Sequence, residues 1–234
     1  MTKSITDALA GAAVEEICPG MTVGLGTGNT ATRAIEALAC RVCAEGMSIL
    51  CVATSRASDE LGRRLGLHVQ AMEGVERIDY LFDGADEVDA AMRMIKGRGG
   101  AMTREKIVAR AAARRVYLVQ SVKLVERLGE AAPLPIEVLR FGLAATRRAL
   151  RELGLDGPLR GAGYETDDGN PVVDAPLPAG VDLAQLATAL DETPGVLGHG
   201  LFLTEADVLL IEDPQGRVSR RCRRSPSARG AGAG

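Results

Sequence analysis

Ile78-Asp79-Tyr80-Leu81-Phe82-Asp83-Gly84-Ala85-Asp86 is a short, mostly apolar run that stops at an Asp-Gly pair. Such a run reads as a buried strand ending in a turn. In α/β proteins, ligands sit beyond the carboxyl ends of strands like this one. That places Asp83 and Asp86 at the rim of a pocket, with Gly84 and Ala85 between them. Further on, Ile95 leads into Lys96-Gly97-Arg98-Gly99-Gly100, a loop whose backbone can approach an anion closely. Residues from Ala101 to Arg114 favour helix, with Glu105 near its start. There the positive end of the helix dipole is expected to keep the carboxylate ionised. A carboxylate base, a lysine to stabilise negative charge and a phosphate-sized cradle together point to proton transfer on a small anionic substrate. The plainer alternative is a surface turn beside a solvated helix cap.

Upstream, residues 4–17 carry helical spacing, and Pro19-Gly20 ends that helix. Met21 to Leu25 reads as a strand running into Gly26-Thr27-Gly28-Asn29-Thr30, and a helix follows through about Cys43. Strand, glycine turn and helix form an anion site, because free amides point outward and the helix dipole favours negative charge. Thr27, Asn29 and Thr30 add side-chain donors. The spacing is neither a dinucleotide fingerprint nor a P-loop: the third glycine of the first and the Gly-Lys-Ser/Thr of the second are absent. Ser48 to Val52 reads as the next strand, Thr54-Ser55 as a helix cap, and Leu67 to Gln70 as a strand carrying a structural His68. Downstream, Val116 to Val119 is a further buried strand, which brings Lys123 to the same sheet edge as Asp83 and Thr27.

Strands alternating with helices through residue 128 imply a parallel sheet. The pattern then changes. A strand over Ile136 to Leu139, a helix over about Leu143 to Leu153, two short strands flanking Thr166-Asp167-Asp168-Gly169-Asn170, a helix over Val181 to Leu190 and a strand at Gly200 to Leu203 read as a small α+β unit. Ala206 to Ile211 is apolar enough to return to the main sheet. Residues 219–234, rich in arginine and ending in alternating glycine and alanine, read as a disordered tail.

Composition removes several function classes. The 234 residues are 46% hydrophobic, enough for one or two domains with real cores. A net charge of −3 with 3% aromatics and no Trp argues against nucleic acid as a partner. No apolar run reaches the length of a membrane span, and the N-terminus lacks the apolar core of a signal peptide. A cytoplasmic location and no membrane partner are the expectation. Cys18, Cys40, Cys43, Cys51 and Cys222 are an odd, scattered set that does not make a disulfide framework. Cys40 and Cys43 have C-x-x-C spacing without a second pair and read as idle or buried thiols. His68 and His199 have no ligand cluster around them, so no metal site is expected.

Taken together, these segments resemble ribose-5-phosphate isomerase A over roughly residues 4 to 218. The matching pieces are Gly24 to Ala31, Asp83 to Glu87, Ile95-Lys96-Gly97 through Lys106, Lys123-Leu124-Val125, Pro133 to Val138, and Gly195-Val196 through Phe202. The resemblance implies interconversion of ribose 5-phosphate and ribulose 5-phosphate through a cis-enediolate, without metal or cofactor. Glu105 would be the base, Lys96 would stabilise the enediolate oxygens, and Asp83 and Asp86 would match the family's paired aspartates, Asp83 rather than Asp86 helping to open the furanose ring. Substrate would be bound by Thr27, Gly28, Asn29, Thr30, Gly84, Ala85, Gly97, Arg98, Gly99 and Lys123. The implied fold is α/β: a Rossmann-like parallel-sheet domain over 1–128 plus 204–218, with a smaller α+β, ferredoxin-like domain inserted at 129–203. The expected partners are a small-molecule sugar phosphate and further copies of the chain, as a homodimer or homotetramer.

Four positions depart from the family pattern. Asn29 stands for a serine, Arg98 interrupts a glycine run, Gln120-Ser121-Val122-Lys123 lacks the usual carboxylate and second hydroxyl, and Thr6 stands for a lysine. Two alternatives stay open: an isomerase for a related sugar phosphate, and a non-catalytic sugar-phosphate-sensing module. Transcription regulators carry such a module behind a helix-turn-helix, for which there is no room before Met21. At Arg98, either the loop is ordinary or the guanidinium offsets backbone strain by holding the substrate phosphate.

Overall fold

The computed structural model describes residues 7–223. The strands in chain order are β1 (Thr22–Leu25), β2 (Leu50–Ala53), β3 (Val69–Gln70), β4 (Ile78–Gly84), β5 (Glu87–Val88), β6 (Met94–Ile95) and β7 (Ala112–Gln120). They continue as β8 (Leu134–Val138), β9 (Val172–Ala175), β10 (Val196–His199), β11 (Leu201–Phe202), β12 (Val208–Glu212) and β13 (Val218–Cys222). The helices are α1 (Ala8–Val14), α2 (Asn29–Glu45), α3 (Arg56–Arg64), α4 (Met102–Ala111), α5 (Leu143–Glu152) and α6 (Leu183–Glu192).

Seven strands form the central sheet in the order β13-β12-β7-β4-β1-β2-β3. All neighbours are parallel except β13, which runs antiparallel to β12. The near-continuous apolar runs follow from burial on both faces. Tyr80 and Phe82 pack with α1 and α2 on one side, while Leu81, Tyr117 and Val119 pack with Met102 and Val108 of α4 on the other. Chain order runs outward one way through β2 and β3, and the other way through β7 and β12. The reversal lies between β1 and β4, where ligands of such sheets bind.

The second sheet, β10-β8-β9, is antiparallel and packs on α5 and α6 over its own apolar cluster. An isolated antiparallel bridge joins Leu159 to Val173. With that bridge counted as a vestigial strand, the order is that of a split β-α-β-β-α-β unit. The tight turn at Thr166 to Asn170 forms, with Thr166 N–H donating to Asn170 O at 2.9 Å. Its upstream strand shrinks to that one bridge, because the chain after Leu159 turns Arg160 and Tyr164 toward the Lys96 loop instead.

A third small sheet, β11-β6-β5, ties the two parts together. Lys96 N–H donates to Gly200 O at 2.9 Å, so the chain returning through β11 holds the residue that precedes the glycine loop. The boundary expected at residue 218 falls inside an element. Ser219 to Cys222 belong to β13, an arginine-bearing edge strand paired with β12; charge on an edge strand suppresses further pairing. Residues 224–234 and Thr6 lie outside the described residues. Among the described residues, no helix is long and apolar enough to cross a membrane.

Candidate active site

The carboxyl ends of β1 and β4 meet at Gly26 and Asp83. A Cβ on Gly26 would lie 2.5 Å from the Asp83 Cα, so only glycine lets the β1–α2 turn pass over β4. That turn then donates Thr27 N–H to Asp83 Oδ1 at 3.0 Å, and Gly84 N–H donates to the same oxygen at 2.7 Å. Thr27 Oγ1 is spent on Thr54 Oγ1 at 2.7 Å, and Thr54 in turn donates to Leu25 O at 3.1 Å. Helix α2 starts at Asn29 with Gly28 as a cap that contributes no side chain. Its first amides therefore have no intrahelical acceptor and open toward the site.

Beneath this turn lies a buried charge cluster. Lys96 Nζ is 3.0 Å from Asp83 Oδ2 and 3.4 Å from Glu105 Oε1, and it donates to Gly84 O. Asp83 is 0%, Lys96 2% and Glu105 4% exposed. The rings of Tyr117 and Phe202 each lie 5.6 Å from Lys96 Nζ and wall it off from water. Two carboxylates face one ammonium here, so the cluster is one positive charge short of balance.

Burial is the largest influence on all three groups. It pushes Glu105 up to about 8, against the lowering pull of Lys96. Asp83 is raised as well, despite Lys96 and its two amide donors. Burial disfavours the Lys96 ammonium, but Asp83 and Glu105 overcome that and lift it to about 12. The expectation that the helix dipole keeps Glu105 ionised is therefore corrected: desolvation outweighs a dipole effect of about 0.3–1 kcal/mol. Neither Asp83 Oδ2 nor Glu105 Oε2 has a hydrogen-bond partner, but Asp83 has two amide donors on Oδ1 and the shorter approach to Lys96, which leaves Glu105 the less supported carboxylate.

Above the cluster opens a cleft of about 470 Å³. Every residue singled out from the sequence lines it except Asp83, and Gln120 joins them. Asp86 stands at the rim as expected, accepting from Arg98 N–H at 2.9 Å. Asp83 does not; it lies one layer lower, in the floor. Lys123, in the turn after β7, lines the cleft beside Gln120. Arg98 is exposed and lines it too. Its backbone is ordinary: Gly97 and Gly100 take the left-handed φ of +105° and +76°, and among non-glycine residues described only Met92 does so. The arginine thus interrupts the glycine run where no glycine is needed, and of the two alternatives the loop is the ordinary one.

Two contributors escaped the sequence. Arg160 donates to Gly97 O at 2.9 Å and Arg98 O at 3.0 Å, and Tyr164 Oη donates to Gly99 O at 3.3 Å. Both come from the smaller unit, and nothing local in their sequence marks them. Lys106, adjacent to Glu105, is buried against His199 and Leu201 and does not line the cleft. No group of three or more His, Cys, Asp or Glu side chains that could hold a metal occurs among the described residues.

The comparisons bear on this geometry. Residues 50–216 match the family model described as ribose 5-phosphate isomerase A (phosphoriboisomerase A). A ribose-5-phosphate isomerase A from Roseiflexus sp. (strain RS-1) is 44% identical over 223 residues, covering 93% of this chain and 94% of that protein. A solved D-ribose-5-phosphate isomerase in complex with phospho-erythronic acid superposes with a TM-score of 0.87 at 33% identity, covering 94% of this chain and 98% of that one. A ribose 5-phosphate isomerase A from Neisseria gonorrhoeae gives 0.85 at 34% identity, covering 96% and 100%.

Proposed function

The chain belongs to the ribose 5-phosphate isomerase A family, and from that premise we propose that its cleft interconverts ribose 5-phosphate and ribulose 5-phosphate with Glu105 as the base. The observation that carries this reading is the position of Glu105: at the foot of the cleft, desolvated, 3.4 Å from a lysine and with one carboxylate oxygen unpartnered. Once deprotonated, it takes the C2 proton of the open-chain aldose. The C2–H electrons form the C1–C2 double bond and the carbonyl pair moves onto O1. Return of the proton to C1, with transfer of the hydroxyl proton from O2 to O1, leaves the ketose. A base with a pKa of about 8 is far stronger than an ordinary carboxylate and still partly ionised at neutral pH.

Lys96 faces the two oxygens on which negative charge develops. A fixed cation in a water-poor site stabilises that charge at no cost of reorganisation. Asp83, sealed in the floor, works through Lys96 by holding it charged and in place, and Asp86 meets the sugar hydroxyls at the rim. The amides at the start of α2, with Lys123 and Arg98, supply the phosphate site. Gln120 in the cleft, where the family pattern described above has a carboxylate, favours testing a related sugar phosphate beside the main one.

Purified protein should turn over ribose 5-phosphate in preference to allose 6-phosphate, followed as ketose formation. Glu105→Gln should lose about 10²–10⁴-fold in kcat, because the amide keeps the shape but accepts no proton. Phospho-erythronic acid should still bind the variant. Near-normal turnover by the glutamine variant would overturn the assignment of the base.

A further inference from the structure

We propose that Arg160 is a positioning residue: it sets two peptide planes of the glycine loop, so that one amide holds Asp86 and the next faces the substrate. This rests on the cleft being the sugar-phosphate site. Arg160 is itself pinned. Its guanidinium makes a two-point ion pair with Asp174, Nε to Oδ2 at 2.9 Å and Nη2 to Oδ1 at 2.6 Å, and lies 5.3 Å from the Tyr164 ring. The remaining nitrogen, Nη1, reaches both Gly97 O and Arg98 O.

Carbonyl and N–H point in opposite directions across a trans peptide, and no peptide bond here is cis. With Gly97 O turned to Arg160, the Arg98 N–H must point away, and it donates to Asp86 Oδ2 at 2.9 Å. With Arg98 O turned to Arg160, the Gly99 N–H must also point away. Among the described residues it has no protein acceptor, and Gly99 lines the cleft. With Gly99 O turned to Tyr164, the Gly100 N–H closes the turn onto Gly97 O at 2.9 Å. Of these three successive amides, one is committed to the rim carboxylate, one to the turn, and one is left for a substrate oxygen. A guanidinium is suited to this, because its planar fork can bind a carboxylate on one edge and carbonyls on another. Lys96 and Glu105 are held by other partners, so the clamp governs binding rather than the chemical step.

The test is the division between KM and kcat. Arg160→Ala should raise KM for ribose 5-phosphate about tenfold while kcat stays within about threefold, the signature of lost uniform binding. Guanidinium ion, added far below unfolding concentrations, should restore part of the KM loss in the variant and leave the unsubstituted protein unchanged. A general packing defect would lower kcat and would not be rescued. An unchanged KM, or a fall in kcat alone, overturns the clamp. If Arg160→Ala does not fold, Arg160→Lys decides: it keeps the charge but cannot span both carbonyls and Asp174, so a raised KM supports the clamp and a normal KM refutes it. Failure of the unsubstituted protein to isomerise ribose 5-phosphate would strike the functional reading itself; an active protein with an indifferent Arg160 would strike only the clamp.

Discussion

Two buried lysines flank the ring of Phe202, and they behave oppositely. Lys96 Nζ lies 5.6 Å from the ring centroid and Lys106 Nζ 5.0 Å. Burial disfavours the ammonium in both. Two carboxylates in the same buried layer raise Lys96 to about 12. Lys106 has only Glu205 and Asp191 to offset its burial, and it falls to about 8. Its direct neighbours are uncharged: Leu201 O at 2.9 Å, and the imidazole of His199 with both ring nitrogens at 3.2 Å. His199 is itself pushed down to about 4, first by burial and then by Lys106, so it is neutral at physiological pH. The contrast teaches that burial alone does not build a catalytic cation; the carboxylates that hold Lys96 charged are part of the same device as the base.

The largest test removes the cation from the side that has carboxylates. Lys96→Met leaves Asp83 and Glu105 buried without it. Breaking such a pair from one side costs about 3–5 kcal/mol when the charge left behind stays ionised. Loss of one fixed group facing the developing charge costs about 10²–10³ in kcat. The stability loss should be greatest above pH 8, where both carboxylates must ionise, and should shrink in acid as they take up protons. Thermal melts across pH would show this. A melting curve unchanged at pH 9 would mean that Lys96 does not balance the carboxylates.

How much of this was readable beforehand follows from the distance over which each feature is determined. The central sheet was legible because two-sided burial writes strands as apolar runs between glycine turns, as at Met21 to Leu25 and Ile78 to Phe82. Asp86, Lys96 and Glu105 were legible because strand ends and helix starts locate a cleft in such sheets. The β13 strand was not: Ser219-Arg220-Arg221-Cys222 has the composition of a solvated tail, and its strand state comes from pairing with β12. Arg160 and Tyr164 act across more than sixty residues of chain. The pKa of Glu105 was misjudged because a helix start looks solvated in sequence, whereas its burial, with Tyr117 and Phe202 walling off the neighbouring Lys96, arises only once β7 and β11 are in place.

The second test sharpens the comparison by its pH windows. Glu105 has a folded pKa of about 8 against its ordinary 4.5. The folded state therefore holds more protons than the unfolded one between those values, and stability falls as pH rises through that window. Lys106 has a folded value of about 8 against 10.5. Here the unfolded state holds more protons, and stability rises with pH from about 8 to 10.5. Glu105→Gln should therefore gain stability relative to the unsubstituted protein as pH climbs from 5 to about 8, with no further gain beyond. Parallel melting curves over that interval would show that Glu105 is not desolvated as described.

The smallest expected effect belongs to Lys106→Met. The methionine fills a similar volume against Phe202 and removes a charge that burial opposes. It also loses the donor to Leu201 O, a net change of about 1 kcal/mol in the other direction. The charge effect is present in full below about pH 8 and fades between about 8 and 10.5. Below about pH 8 the variant should be the more stable protein by a constant margin, because the unsubstituted chain buries a full ammonium there; toward pH 10.5 it should become the less stable one, because the unsubstituted chain keeps the hydrogen bond at no charge cost. The pH at which that margin begins to shrink, read from melts at several pH values, locates the folded pKa of Lys106. Turnover should stay near that of the unsubstituted protein, since Phe202 separates Lys106 from the cleft and Lys96 keeps its own carboxylates. A hundredfold fall in kcat with an unchanged melt would break the comparison, and would mean that the charge behind Phe202 reaches the reacting carbon through the ring.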